Sequence, residues 1–284
     1  MPLSNTSLVV RYYFDEAVSG TAPASVIDRS ANGYHLDEVN YGSGNMAYTE
    51  VSGNRGLEST DSGGSGTQRA RHAIHDSADA VRSALTGSKT ITLEIVATID
   101  ALNSVNNSFI FGIQNRSSAF PTVGLSSNTA SSLSAFWETA EMRGSIPWTA
   151  GVRYVWHVVF DTAQATANDR VKVYRDGVLQ SPSVIANPAL DDTFTMAASL
   201  DLSALNRENA GSFGRSFDGI VYYAAIYARA FAQGDVTAHY DILTLGDDFL
   251  AGAVSWPLGM SNFPHQLEDE DEGHFSELDA RSWW

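Results

Sequence analysis

Cysteine is absent from this chain of 284 residues. That excludes disulfides, thiolate metal sites and a cysteine nucleophile, so stability has to come from packing and hydrogen bonding. Lysine is almost as scarce: only Lys89 and Lys172 occur. The 17 basic residues against 33 acidic ones leave a formal charge of 17 − 33 = −16. A surface this acidic repels phosphate groups, which argues against nucleic acid and anionic membranes as partners. It fits a saline habitat or simple solubility as well as it fits a cationic partner. Long hydrophobic runs are missing too, since nothing approaches the roughly 20 apolar residues of a membrane span. The segment Met1-Pro2-Leu3-Ser4-Asn5-Thr6-Ser7 has neither a basic n-region nor an apolar core, so no export signal and no membrane insertion are expected.

What is present is enough apolar material for a core: 43% of the residues are hydrophobic. It is distributed as short strands. Leu8 to Phe14 is rich in aromatic and β-branched residues, and so is Phe217 to Phe231, which runs into a helix-like stretch from Gln233 to Leu243. Between Thr90 and Thr98, Ile91, Leu93, Ile95 and Ala97 alternate with Thr92, Glu94, Val96 and Thr98, the pattern of a strand with one strongly apolar face. Further strands are expected at Phe109 to Gln114, Thr122 to Ser126, Leu133 to Glu138 and Tyr154 to Asp161. Arg170 to Leu179 reads as a hairpin turning at Asp176-Gly177, because glycine accepts positive φ without a Cβ clash and aspartate tolerates it. Short strands at close intervals, with no long amphipathic helix, indicate a sandwich rather than an alternating α/β fold.

Taken in order, Leu8-Val9-Val10-Arg11-Tyr12-Tyr13-Phe14, Tyr174-Arg175-Asp176-Gly177-Val178-Leu179 and Phe217-Asp218-Gly219-Ile220 resemble the laminin-G-like, concanavalin A-type jelly roll from about Leu8 to about Leu245. In that family the first strand lies beside a late one. The late strand here has Val221-Tyr222-Tyr223 where the family carries an acidic pair, and the Trp156-His157 pair is displaced in register. The resemblance implies an all-β, antiparallel two-sheet jelly roll over residues 1–246. Residues 247–284 read as an extended acidic and aromatic C-terminal arm. The arm contains Glu268-Asp269-Glu270-Asp271-Glu272, and its Trp256, Phe263, Phe275, Trp283 and Trp284 are expected anchors for an interface.

Jelly-roll glucanases need two carboxyl groups about 5–5.5 Å apart across the glycosidic bond if they retain configuration. No Glu-x-Asp-x-x-Glu string occurs; Glu138 and Glu141 straddle a strand end, and Glu94 has no second acid at i+2 or i+4. No catalytic residue is therefore assigned, and a non-enzymatic binding or structural role is expected. His72 and His75 lie on an extended stretch that turns them to opposite faces, which argues against a shared zinc. Calcium is the one cofactor with candidate ligands: Asp28 and Asn32, joined by Asp218 if the two ends of the chain meet. Asp28 and Asn32 equally suit ordinary Asx turns. Glycan contact needs exposed aromatic faces, for which Trp137, Trp148, Tyr41 and Tyr48 are the candidates.

An acidic, cysteine-free chain with an extracellular-type fold, no export signal and an aromatic arm leads to a specific expectation. It is a phage virion surface component, capsid decoration or tail-associated, that reaches the outside by lysis and docks on neighbouring subunits of itself or of a capsid or tail protein. The alternatives are a free-standing lectin-like module and a glycoside-active enzyme of the jelly-roll glucanase type.

Overall fold

The structure is a computed structural model and describes residues 3–21, 24–36, 38–39, 46–60, 70–74, 80–100, 108–115, 121–127, 132–138, 140–195, 200–205, 208–209, 212–213 and 217–245. In chain order its elements are β1 (Leu8–Tyr12), β2 (Glu38–Val39), β3 (Met46–Val51), β4 (Asn54–Thr60), β5 (Ala70–Ile74), α1 (Ala80–Leu85), β6 (Thr90–Ile99), β7 (Ser108–Asn115), β8 (Pro121–Ser127), β9 (Ser132–Trp137), β10 (Ala140–Pro147) and β11 (Arg153–Asp161). A 3₁₀ turn (Ala167–Arg170) leads to β12 (Val171–Arg175), β13 (Val178–Leu179), β14 (Ser183–Val184), β15 (Leu200–Ala204), β16 (Glu208–Asn209), β17 (Ser212–Phe213), β18 (Asp218–Tyr227) and α2 (Gln233–Leu243).

Two antiparallel eight-stranded sheets make the sandwich. The first runs β13-β12-β11-β6-β18-β4-β3 with β1 also paired to β18, and the second runs β14-β10-β9-β8-β7-β15-β5-β2. The ends of the chain meet as expected: β4 pairs with the first half of β18, and β1 with the second, where Tyr12 faces Ala224 and Val10 faces Ile226. Between the sheets lies a core that includes Tyr12, Phe111, Trp137, Trp156, Phe160 and Ile226. Burying each such side chain is worth about 1.5–3 kcal/mol.

Local sequence explains the two features that shape the first sheet. At the β12–β13 turn both Asp176 (φ 51°) and Gly177 (φ 75°) have positive φ, the geometry that matches the twist of a two-residue hairpin. Asp176 Oδ1 also accepts the Val155 amide at 2.9 Å, which fastens the turn to β11. In β18 the pairing with β6 shifts register between Val221 and Tyr223. This bulge lets Val221 point into the inter-sheet core while Tyr222 and Tyr223 both join the outer cluster. The Val221-Tyr222-Tyr223 string is thus a device for re-aiming tyrosines. Gly219 (φ 151°) is required just before it, since a Cβ there would sit 2.2 Å from the Thr98 carbonyl oxygen.

Alternation in β6 marks one strongly apolar face, and the structure buries the other face as well: Ile91 to Ile99 are all buried. The covering element is α2, which lies across the outer face of the first sheet. Val236, Ile242 and Leu243 of the helix pack there with Val96, Val155, Tyr223, Tyr227 and Phe231. Burying the polar face leaves Glu94 in need of partners.

Candidate functional site

Among the described residues two concentrations of polar chemistry stand out. One is closed. Glu94 on β6, His157 on β11, Tyr223 and Tyr227 on β18 and His239 on α2 are at most 3% exposed. Cross-strand register puts Glu94 opposite both His157 and Ala225, so the carboxylate sits between the imidazole on one side and the two tyrosines on the other. Its Oε1 lies 2.7 Å from His239 Nδ1 and 3.0 Å from His157 Nε2. Its Oε2 accepts the hydroxyls of Tyr223 at 2.7 Å and Tyr227 at 3.1 Å. The Ser4 amide donates to His239 Nε2 at 3.3 Å, which places that ring's proton on Nδ1, facing Glu94. Arg11 donates to the Tyr227 hydroxyl at 3.0 Å, and to Asn5 Oδ1 and the Ser4 carbonyl at 2.8 Å each.

Burial pushes the Glu94 carboxyl up, but the two imidazoles and their hydrogen bonds outweigh it and hold the group well below the usual carboxylate range. Burial, reinforced by Glu94, drives the Tyr223 and Tyr227 hydroxyls well above their ordinary values. Both shifts keep this centre in one state: an anion receiving four donors, one of which, Tyr227, itself accepts from Arg11. It ties the N-terminal segment, α2 and three strands together. With no opening to solvent, its chemistry is that of a structural clasp.

The other concentration is open. Where the edges of the two sheets run side by side, residues from β10, the 3₁₀ turn, β12, β13 and β14 enclose a cleft of about 210 Å³. Arg143, Asn168, Lys172, Leu179, Gln180 and Val184 are among its lining. Arg143 is only 3% exposed, and its guanidinium donates to the carbonyls of Met142 (2.9 Å), Ala186 (2.8 Å) and Asn168 (3.1 Å) and to Asn187 Oδ1 (2.8 Å). It pins the 3₁₀ turn and the 186–187 segment to β10, giving the cleft a fixed floor. Burial lowers its pKa from the ordinary value, yet a guanidinium stays charged in proteins. Arg170, next in the chain to the lining residues Asp169 and Val171, is held in the same way by the carbonyls of Gln164, Ala165 and Pro188. Lys172 Nζ stands 3.5 Å from Asp169 Oδ1.

The residues singled out in the sequence fall elsewhere. Trp137 is 2% exposed, packs on Phe160 and Phe194 and gives its indole N–H to Asp192 Oδ2 at 3.0 Å. Tyr48 is 1% exposed and bonded to Glu16 Oε2 at 2.5 Å. Trp148 belongs to the same core, its indole N–H without a hydrogen-bond partner among the described residues. None of the three turns a ring face to solvent, because a core between two large sheets consumes the aromatics. Tyr41 lies outside the described residues. So do Trp256, Phe263, Phe275, Trp283 and Trp284 with the whole 247–284 arm.

The calcium candidates do not converge. Asp28 spends its carboxylate on the amides of Arg11, Ser30 and Tyr34 and on the Ser30 hydroxyl, and Asn32 Nδ2 donates to the Val9 carbonyl, which is the Asx-turn arrangement. Arg11, which Asp28 contacts, pairs with Ala225, whereas Asp218 opens the far end of β18 against Thr60. Among the described residues no group of three or more His, Asp or Glu side chains is arranged to hold a metal ion. Glu138 and Glu141 are engaged separately, with the Thr195 amide and the Ser134 hydroxyl.

No family model and no curated protein sequence matches the chain. Solved structures with a similar fold include Trypanosoma rangeli sialidase with the inhibitor DANA (TM-score 0.54, 15% identity, covering 84% of this chain and 34% of that one). The same sialidase with a difluoro-KDN ligand gives a TM-score of 0.53 at 16% identity over 84% of this chain and 33% of that one. A third is botulinum neurotoxin type C, whose uptake into cells depends on interaction with two ganglioside molecules (TM-score 0.53, 10% identity, 84% of this chain and 51% of that one). The chain thus spans about a third of the sialidase chains and about half of the toxin chain. At these identities the likeness shows the fold alone, an all-β sandwich of two antiparallel sheets. The expectation of a phage virion surface component is overturned, since these neighbours are sialidases and a neurotoxin rather than virion proteins. Among the described residues no helix is long and apolar enough to cross a membrane.

Proposed function

We propose that this chain is a lectin-like carbohydrate-binding module whose sugar site is the cleft between the sheet edges. The observation that carries the reading is the composition of that cleft. Amide groups of Asn168 and Gln180 stand beside the half-exposed apolar side chains of Leu179 and Val184, and a sugar ring presents hydroxyls at its rim and C–H groups on its face. Its volume of about 210 Å³ is below the roughly 300–1,000 Å³ of drug-sized pockets, which suits a terminal sugar rather than a long chain. The fold neighbours lend support by analogy: one is a sialidase solved with sialic acid, another a toxin that depends on gangliosides. The ordered motifs that resemble laminin-G-like domains support the same class of function.

The sialidase neighbours raise hydrolysis as the rival reading. Hydrolysis of a glycosidic bond by the common route needs a pair of carboxyl groups, and Asp169 is the carboxylate that the cleft's lining supplies. Binding without cleavage is the reading we favour. Fluorescently labelled full-length protein on a broad glycan array, followed by incubation with the retained glycans in solution, separates the two. Retention of a defined subset with no released sugar is expected. Released sugar would replace the module with a glycosidase, and an array without retention would sink the reading.

A further inference from the structure

Resting on that reading of the cleft, we infer that its ligand is an acidic sugar, a glycan whose terminal residue carries a carboxylate. The chain as a whole is strongly acidic, so a neutral surface patch would already be unusual for it. At this cleft the local balance reverses. Arg143 in the floor and Arg170 beside it are both held by carbonyl and amide oxygens, and neither meets a carboxylate among the described residues. Elsewhere the guanidinium of Arg229 is matched by both carboxylate oxygens of Asp235, at 3.0 and 3.1 Å. Two arginines fixed in place without a carboxylate partner among the described residues are a different provision: their positions are set by the oxygens they bond and their charge is left over. Lys172 adds a movable cation at the wall, its side chain 35% exposed and its ammonium only loosely matched to Asp169 at 3.5 Å. The chain's other lysine shows the contrast, since Lys89 Nζ is paired to Asp191 at 2.8 Å.

The physics favours an anion at this position. The Debye length is about 8 Å at physiological ionic strength, so distant acidic residues are screened while cations lining the cleft act at short range on whatever occupies it. Lys172 can supply a charge-assisted hydrogen bond to a carboxylate, Arg143 supplies field from the lining without having to move, and Arg170, between the lining residues Asp169 and Val171 in the chain, adds to the positive charge nearby. Asn187 already donates to Asn168 Oδ1 at 3.1 Å and Gln180 Nε2 to the Val178 carbonyl at 2.9 Å, so Asn168 Nδ2 and Gln180 Oε1 remain for hydroxyls. A neutral sugar would use these amides and leave Arg143 with no carboxylate facing it among the described residues and Lys172 with only Asp169.

The test uses the full chain on an array of matched pairs, acidic glycans ending in sialic or uronic acid and the same glycans without that residue. The best-retained compound is then titrated by calorimetry. Acidic members are expected to bind at least tenfold tighter than their neutral counterparts, with affinity falling as salt rises. Lys172→Ala is expected to weaken the acidic ligand about five- to tenfold, whereas Lys89→Ala leaves it unchanged. Equal retention of acidic and neutral members overturns this inference while the carbohydrate reading stands. Selective acidic binding that Lys172→Ala leaves intact overturns the assignment to this cleft. Retention of no glycan at all overturns both.

Discussion

Glu94 and Arg143 are both buried charged side chains on strands of one sandwich, and their surroundings are opposite in kind. Glu94 receives a hydrogen bond at every available position, from two imidazoles and two tyrosine hydroxyls, beneath a helix that shuts out water. Arg143 donates four hydrogen bonds, all to oxygens that carry no net charge, and it lines a cleft open to solvent. Satisfying hydrogen bonds and neutralising charge are separate requirements. Where both are met inside the fold, as at Glu94, the charge has been spent on architecture. Where only the first is met, as at Arg143, the charge remains for a ligand.

The largest effect that can break this comparison belongs to Glu94→Gln. Removing one partner of a buried charge pair costs about 3–5 kcal/mol, because His157 and His239 lose the carboxylate they face and the hydroxyls of Tyr223 and Tyr227 confront an amide. Chemical denaturation is expected to show a loss of that size. The same group sets a pH limb. Its folded pKa lies below its unfolded value, so its contribution is present above about 4.5 and lost as pH falls from there. Tyr223 and Tyr227 are shifted the other way, upward, so theirs is present below about 10 and lost as pH rises beyond it. Asp15 and Glu16, raised by burial, oppose Glu94 on the acid side. The diagnostic is therefore the difference between wild type and Glu94→Gln, which should narrow as pH drops from 5 toward 3.

Arg143→Met sharpens the comparison from the other side. It leaves three carbonyls and the Asn187 side chain without their donor, and a loss of about 1–3 kcal/mol in thermal or chemical unfolding is expected. Glycan binding should be lost with it. His239→Ala removes the contact between α2 and Glu94 at a cost of about 1–2 kcal/mol. Faster amide exchange in Gln233–Leu243 is its signature, with glycan affinity unchanged. The smallest effect is the most discriminating: Lys172→Ala should alter stability by no more than about 0.5 kcal/mol and still impair binding.

Much of the fold was legible because local pattern and tertiary role agree. The Asp176-Gly177 hairpin, the helix from Gln233 to Leu243 and the pairing of the first strand with the last strand all form where the sequence puts them. What could not be read depends on elements far apart in the chain. Glu94 stood out on its strand as an acid without a near neighbour, but its imidazole partners come from β11 and α2, and only the covering helix explains why a polar face is buried. Lys172 was conspicuous as one of two lysines, yet nothing local places it beside Arg143. The aromatic candidates failed for a physical reason: Trp137, Trp148 and Tyr48 have the right chemistry for sugars, and the interior between two eight-stranded sheets has a prior claim on it.

Hydrogen–deuterium exchange of the full chain, with and without the best-retained acidic glycan, tests the division most directly. Added protection in residues 168–184 and around Arg143, with β6 and α2 unchanged, is the predicted result. Protection confined to β6 and α2, leaving the cleft as it was, would contradict it and make the Glu94 centre the place where ligand acts.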